Sequence, residues 1–242
     1  MFELLTALVG IVIVLVVLVL PGKLDSFFSS RRTPSWNVLL VGPSGAGKTT
    51  LFLRLRGRKK GRTVTSMAPN RGPVGDQGVH VVDVPGHPRL ADSYFQSEVS
   101  NCKGVVAVVD AMDFHATKDA FARHMYRLLT SPVIRGRGLP ILVACNKQDG
   151  AAKAHSCDFI RKRTEKLIQQ LYEADVGDSM GRNDAGALEH NILSPDGGDF
   201  SFEKLMQPRR FHRPVEVQFH GTSASEGDIG AVERFISCVK AR

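Results

Sequence analysis

Two hydrophobic rhythms run along this chain of 242 residues. Leu4 to Leu20 reads LLTALVGIVIVLVVLVL, about 17 residues without a charge. As a helix it would span about 26 Å, close to a bilayer hydrocarbon core of about 27–30 Å. Beyond residue 35 the apolar runs are short and punctuated. Those at 37–41, 79–83, 104–110, 139–145 and 215–220 read as buried strands. Helical spacing fills the intervals: Phe121, Met125, Leu128 and Leu129 share one face, as do Ile229, Val232, Ile236 and Val239. The alternation predicts an α/β domain with a parallel sheet and helices on both faces. Its ligands should lie at the C-terminal ends of the strands.

These rhythms divide the chain into a transmembrane anchor at 1–21, a linker at 22–35 and a domain at 36–242. About 200 residues suffice for one α/β domain with a full core. Residues 174–213 are rich in Gly, Asp and Asn with little periodicity, and read as a long loop insertion. Phe200, Phe202 and Leu205 are placed to dock it. A cleavable signal peptide is the rival reading of the first run, and would want a basic start and a small-x-small cleavage site. Here Glu3 precedes the run and Pro21-Gly-Lys-Leu-Asp follows it, which favours an uncleaved single span. Lys23, Arg31 and Arg32 lie downstream and no Lys or Arg lies upstream, so the positive-inside rule puts the domain in the cytosol. Four cysteines, Cys102, Cys145, Cys157 and Cys238, make no dense disulfide pattern, as a reducing compartment requires. They do not resemble metal ligands, and Cys145 reads as core.

Candidate chemistry sits where strands end. The run Val38–Val41 meets Gly42-Pro-Ser-Gly-Ala-Gly-Lys-Thr49, and Thr50 opens a helical stretch. Small residues here let consecutive N–H groups turn inward around phosphates, so Gly42, Ser44, Gly45, Ala46, Gly47 and Thr50 are candidate binding positions. Lys48 adds a point charge, and the Thr49 hydroxyl can ligate Mg²⁺. Asp83-Val-Pro-Gly86-His87 ends the next run: Asp83 can hold Mg²⁺ through water, and the Gly86 N–H can meet a γ-phosphate. Between them a hydroxyl should close over the metal. Thr63, Thr65 and Ser66 are candidates, with Thr65 chosen. His87 stands where many GTPases carry a water-orienting glutamine. It can position water or act as a base, or point away and leave hydrolysis slow or partner-dependent.

The base is indicated by Asn146-Lys147-Gln148-Asp149, after the run Leu139–Cys145. The Asp149 carboxylate can accept both hydrogens of guanine N1 and its 2-amino group, which adenine lacks. Asn146 would hold the loop and the Lys147 stem would lie against the ring. Thr222-Ser223-Ala224 follows the last run, and the Ala224 N–H can be offered to the guanine oxygen. Together these predict GTP and Mg²⁺ as ligands.

A net charge of +8 changes the picture modestly. Arg54, Arg56, Arg58, Lys59, Lys60 and Arg62 cluster after the phosphate loop, and Arg161-Lys-Arg163 begins a second group. Anionic lipid headgroups or ribosomal RNA could draw them. At least half of these charges read as a solvated face, and direct binding to DNA is not expected.

Taken together, the apolar span, GPSGAGKTTLF, TVTSMAPN, DVPGH, ACNKQD and FSFEKL resemble the beta subunits of the signal recognition particle receptor. Those are Ras/Arf-like small GTPases of the P-loop NTPase fold. The resemblance covers most of the chain. It implies a single-pass protein of the endoplasmic reticulum membrane whose GTP-bound domain holds the receptor alpha subunit, so that ribosomes making secretory chains reach the translocation site. Contact with the ribosome or translocon is a further expectation. Between Thr65 and Asp83 the chain departs from the family: Pro69, Pro73 and several glycines leave its strand-bearing stretch short. The alternative is an Arf-like regulator of vesicle traffic. Phe2, where a myristoylated glycine would stand, and a Cys238 outside any prenylation box argue against it.

Overall fold

A computed structural model describes residues 36–241, apart from 59–60, 62, 76–78, 151, 181–192, 194–197 and 208–212. The expected anchor (1–21) and linker (22–35) lie outside the described residues.

In chain order the elements are β1 (Asn37–Val41), α1 (Lys48–Leu55), β2 (Asn70–Val74), β3 (Val79–Asp83), α2 (Pro88–Val99) and β4 (Cys102–Asp110). There follow α3 (Phe114–Thr130), α4 (Pro132–Arg137), β5 (Ile141–Asn146), α5 (Cys157–Met180), a 3₁₀ turn (Phe202–Met206), β6 (Val217–Gly221) and α6 (Gly230–Ala241). The described strands form one sheet in the order β2-β3-β1-β4-β5-β6. All neighbours are parallel except β2 and β3.

Two cores follow from the pleat. Leu39, Val41, Val105, Ala107, Val109, Ile141, Val143 and Cys145 face one way, against Phe95, Phe121, Met125, Ile160 and Ile168 of α2, α3 and α5. Val38, Leu40, Val106, Val108, Leu142 and Ala144 face the other, against Leu51 and Phe52 of α1 and Val232, Ile236 and Val239 of α6. Central strands buried on both faces must be apolar at every position, which is why they read as unbroken runs.

The structure corrects the sequence reading in two places. The Pro- and Gly-bearing stretch after Thr65 does contain a strand. β2 runs antiparallel to β3, pairing Asn70 with Asp83 and Pro73 with His80. It lies at the sheet edge, where a proline without an N–H is tolerated. The sheet is therefore mixed rather than wholly parallel. Second, the stretch beginning at 174 opens as helix, because α5 continues to Met180. The Tyr126 hydroxyl donates to Asp175 Oδ2 at 2.6 Å and ties this extension to α3. Further on, Phe200 and Phe202 are buried, and the Phe202 ring lies 5.1 Å from that of Phe219 on β6.

Candidate functional site

At the carboxyl end of β1 the chain must turn where no side chain fits. Gly42 has φ +138°, and a Cβ there would stand 2.2 Å from the Val108 carbonyl oxygen of β4. Gly47 has φ +92°, and its Cβ would meet Asn146 Nδ2 at 2.2 Å. Both conditions demand glycine. The loop between them delivers Lys48 and Thr49 into the first turn of α1. Lys48 Nζ donates to the Gly42 and Pro43 carbonyls at 2.9 and 2.8 Å. Burial pushes its pKa down to about 8, although Asp83 pulls the other way. A buried ammonium over a loop of inward-turning amides is suited to a polyanion.

Thr49 Oγ1 donates to Asp83 Oδ2 at 2.8 Å. Asn70 Nδ2, brought opposite by the β2–β3 pairing, donates to the same oxygen at 3.0 Å and to Ser66 Oγ at 3.0 Å. Asp83 is almost fully buried, yet its Oδ1 has no hydrogen-bond partner. A buried carboxylate oxygen with spare capacity beside a threonine hydroxyl is a hard-oxygen donor set, and it fits Mg²⁺. Both residues line a cavity of about 300 Å³, together with Ser44, Gly45, Lys48 and Gly86.

The hydroxyl candidates are placed differently from expectation. Thr65 is exposed on the cavity wall. Ser66 instead lies 3.3 Å from Thr49 Oγ1, while Thr63 Oγ1 stands 3.3 Å from that of Thr50. Gly86 presses on the loop, since a Cβ there would lie 2.5 Å from Lys48 Nζ and 2.7 Å from the Ser44 nitrogen. His87 caps α2: its Nδ1 accepts from the Arg89 N–H at 3.3 Å, with Pro88 at the first helical position. It is absent from the residues lining the cavity.

On the base side the elements converge from three strands. Asn146, the last residue of β5, donates through Nδ2 to Ala46 O at 2.9 Å and accepts at Oδ1 from the Ala224 N–H at 3.0 Å. Ala224 N–H, expected to be free for a guanine oxygen, is thus engaged by Asn146. Lys147 adopts φ +67°, rare without glycine, and its Nζ pairs with Asp110 Oδ2 at 2.5 Å. Asp149 accepts from Ser223 Oγ at 2.6 Å and from Ser225 Oγ at 3.1 Å, one hydroxyl on each carboxylate oxygen.

Sequence reasoning missed three residues here. Asp110 ends an apolar strand as Asp83 does, and that parallel was a usable signal. Asn70 had none, because its role depends on β2. Arg54 lay hidden in a basic cluster. From α1 it donates through Nε to Ala224 O at 3.0 Å and through Nη2 to Ser225 O at 2.5 Å. Arg56 of the same cluster lies 5.5 Å over the Phe52 ring. Arg54 is thus tied to the loop after β6, while Arg56 remains exposed.

Comparison with known proteins agrees with this geometry. The family model described as signal recognition particle receptor beta subunit matches residues 33–208. The human subunit beta is 30% identical over 237 residues, covering 93% of this chain and 82% of the human protein. The mammalian receptor structure superposes with a TM-score of 0.69 at 28% identity, over 84% of this chain and 99% of that one. An SRb-GTP/SRX complex from Chaetomium thermophilum has the same fold, with a TM-score of 0.56 at 23% identity over 78% of this chain and 91% of that one. With a family model covering most of its length and a relative at this identity, the chain belongs to the signal recognition particle receptor beta subunit family.

Proposed function

We propose that this chain binds GTP with Mg²⁺ and, in that state, holds the receptor alpha subunit at the endoplasmic reticulum membrane for co-translational protein targeting. The observation carrying the reading is the bracket around the base position. Asn146 joins the phosphate loop to Ala224, and Ser223 and Ser225 orient the Asp149 carboxylate. In this reading the amides of Gly42–Thr50 and Lys48 take the phosphates, Thr49 and Asp83 take the metal, and Asp149 reads guanine. Mg²⁺ supplies charge neutralisation between phosphate oxygens. The related fungal subunit is known in complex with GTP and SRX, which supports the same kind of ligand and partner here.

The Leu4–Leu20 span supplies the tether, and the downstream basic residues favour a cytosolic domain. Ribosome and translocon contact are consistent with that position. His87, engaged as a helix cap, leaves hydrolysis slow or dependent on a partner that rearranges the turn. The test is a pull-down of the alpha subunit by the full chain from detergent-solubilised membranes. Retention with GTP and loss with GDP is expected. Equal capture with either nucleotide, or no capture, contradicts the proposal.

A further inference from the structure

The nucleotide chemistry leaves one pair of nucleophilic side chains unused. Cys145 is the penultimate residue of β5, directly before Asn146. Its side chain lies in the core shared with Ile160 and Ile168 of α5. Cys157 opens α5 and packs against that same core. In the sheet register Cys145 pairs with Gly221 of β6, and a Cβ at Gly221 would lie 3.8 Å from Cys157 Sγ. Contact between the two thiols is the largest influence on the titration of each, and neither is in a disulfide. Cys145 is fully buried while Cys157 is only partly so, which leaves one sulfur accessible to a small oxidant. Between the two positions runs the loop that carries Lys147 and Asp149.

We propose that Cys157 and Cys145 form a peroxide-sensitive dithiol whose closure to a disulfide ties the base-recognition loop into a covalent ring. Cys157 is suited to attack first. The hydrogen bond from Cys145 pulls its pKa down to about 7, against the effect of burial, and it stands at a helix N-terminus. The same contact and full burial push the Cys145 pKa far up, so that sulfur keeps its proton until the second step. The Cys157 thiolate attacks hydrogen peroxide; an S–O bond forms, the O–O bond breaks, and hydroxide leaves to take up a proton as water. Cys145 sulfur then attacks the Cys157 sulfenic acid. The S–S bond forms, the S–O bond breaks, and the departing hydroxide carries off the Cys145 proton as a second water. Two thiols are oxidised by two electrons and one peroxide is reduced to two waters. The exposed Cys238, on α6, serves as the internal control.

The experiment uses the full chain, reduced, in detergent, treated with hydrogen peroxide, quenched with N-ethylmaleimide and digested with trypsin. Cleavage after Arg137, Lys147, Lys153 and Arg161 puts the two cysteines on separate peptides, 138–147 and 154–161. A linked pair lighter by two hydrogens, released by reductant, is expected. It should be absent from Cys157→Ser. In Cys145→Ser, dimedone should instead trap Cys157 as its sulfenic acid. Recovery of both peptides separately alkylated after peroxide, or linkage of Cys157 to any other cysteine, overturns the proposal. The assay reads no nucleotide, so its failure is distinct from failure of the GTP reading.

Discussion

Replacing Arg54 with alanine removes both hydrogen bonds that α1 makes to the Ala224 and Ser225 carbonyls. A bond from a charged donor contributes about 1.5–3 kcal/mol when buried. Arg54 is only partly buried, so about 1 kcal/mol apiece is the fairer figure, and about 2 kcal/mol together. The loop keeps its other restraints: Asn146 on Ala224, and Asp149 on Ser223 and Ser225. The loss therefore falls on how often the loop sits in its base-ready position, and only that fraction binds at full strength. With 1.4 kcal/mol per factor of ten, about 2 kcal/mol raises the Kd by up to about thirtyfold. It should rise equally for GTP and GDP, because the arginine touches nothing near Lys48 or Asp83. Titration with fluorescent guanine nucleotides measures both, and Arg54→Lys should recover part of the loss through its single ammonium. Affinity unchanged within twofold, or weakened for GTP alone, would refute the reasoning.

Other expectations follow from the same contacts. Lys48→Met should abolish nucleotide binding yet stabilise the nucleotide-free fold at pH 7 by on the order of 1–3 kcal/mol, read by chemical denaturation. Burial holds the Lys48 pKa near 8 against 10.5 unfolded, so below about pH 8 folding bears the full cost of a buried cation. That cost falls as pH rises from 8 to 10.5, and the mutant's advantage should shrink over that window. His124 on α3 behaves in the same sense at lower pH. Burial, with help from the Lys48 charge, lowers its pKa from 6.5 to about 4. Between those values the unfolded chain binds the extra proton, so stability should fall as pH drops through that range, and His124→Gln should flatten the profile. Asp149→Asn should move base preference from guanine towards xanthine, because an amide puts a donor where an acceptor stood. Unchanged GTP affinity in a competition assay would contradict the base assignment.

Much of this architecture was legible because central strands leave a strong mark. β1, β3, β4 and β5 are buried along most of their length, so runs of Val, Leu, Ile and Ala dominate them, and β3, β4 and β5 end at Asp83, Asp110 and Asn146. The edge strand β2 left no such mark. Its sequence, Asn-Arg-Gly-Pro-Val, has one buried position, and its hydrogen bonding to β3 comes from backbone geometry that composition does not encode. Asn70 was invisible for the same reason: its partner Asp83 is 13 positions away and becomes a neighbour only through that pairing. The far end of α5 was missed because Gly177 and Asp178 read as loop residues, although the helix runs to Met180. Charge patterning hid the role of Arg54. A cluster of like charges resembles a solvated face until the carbonyls that receive one of them are known.

Titration calorimetry of the full chain with GTP and with ATP, both with Mg²⁺, is the most direct measurement. Asp149, held by two serine hydroxyls, should make GTP bind at least a hundredfold tighter than ATP. Equal affinities, or heat from neither nucleotide, would contradict guanine recognition at this site.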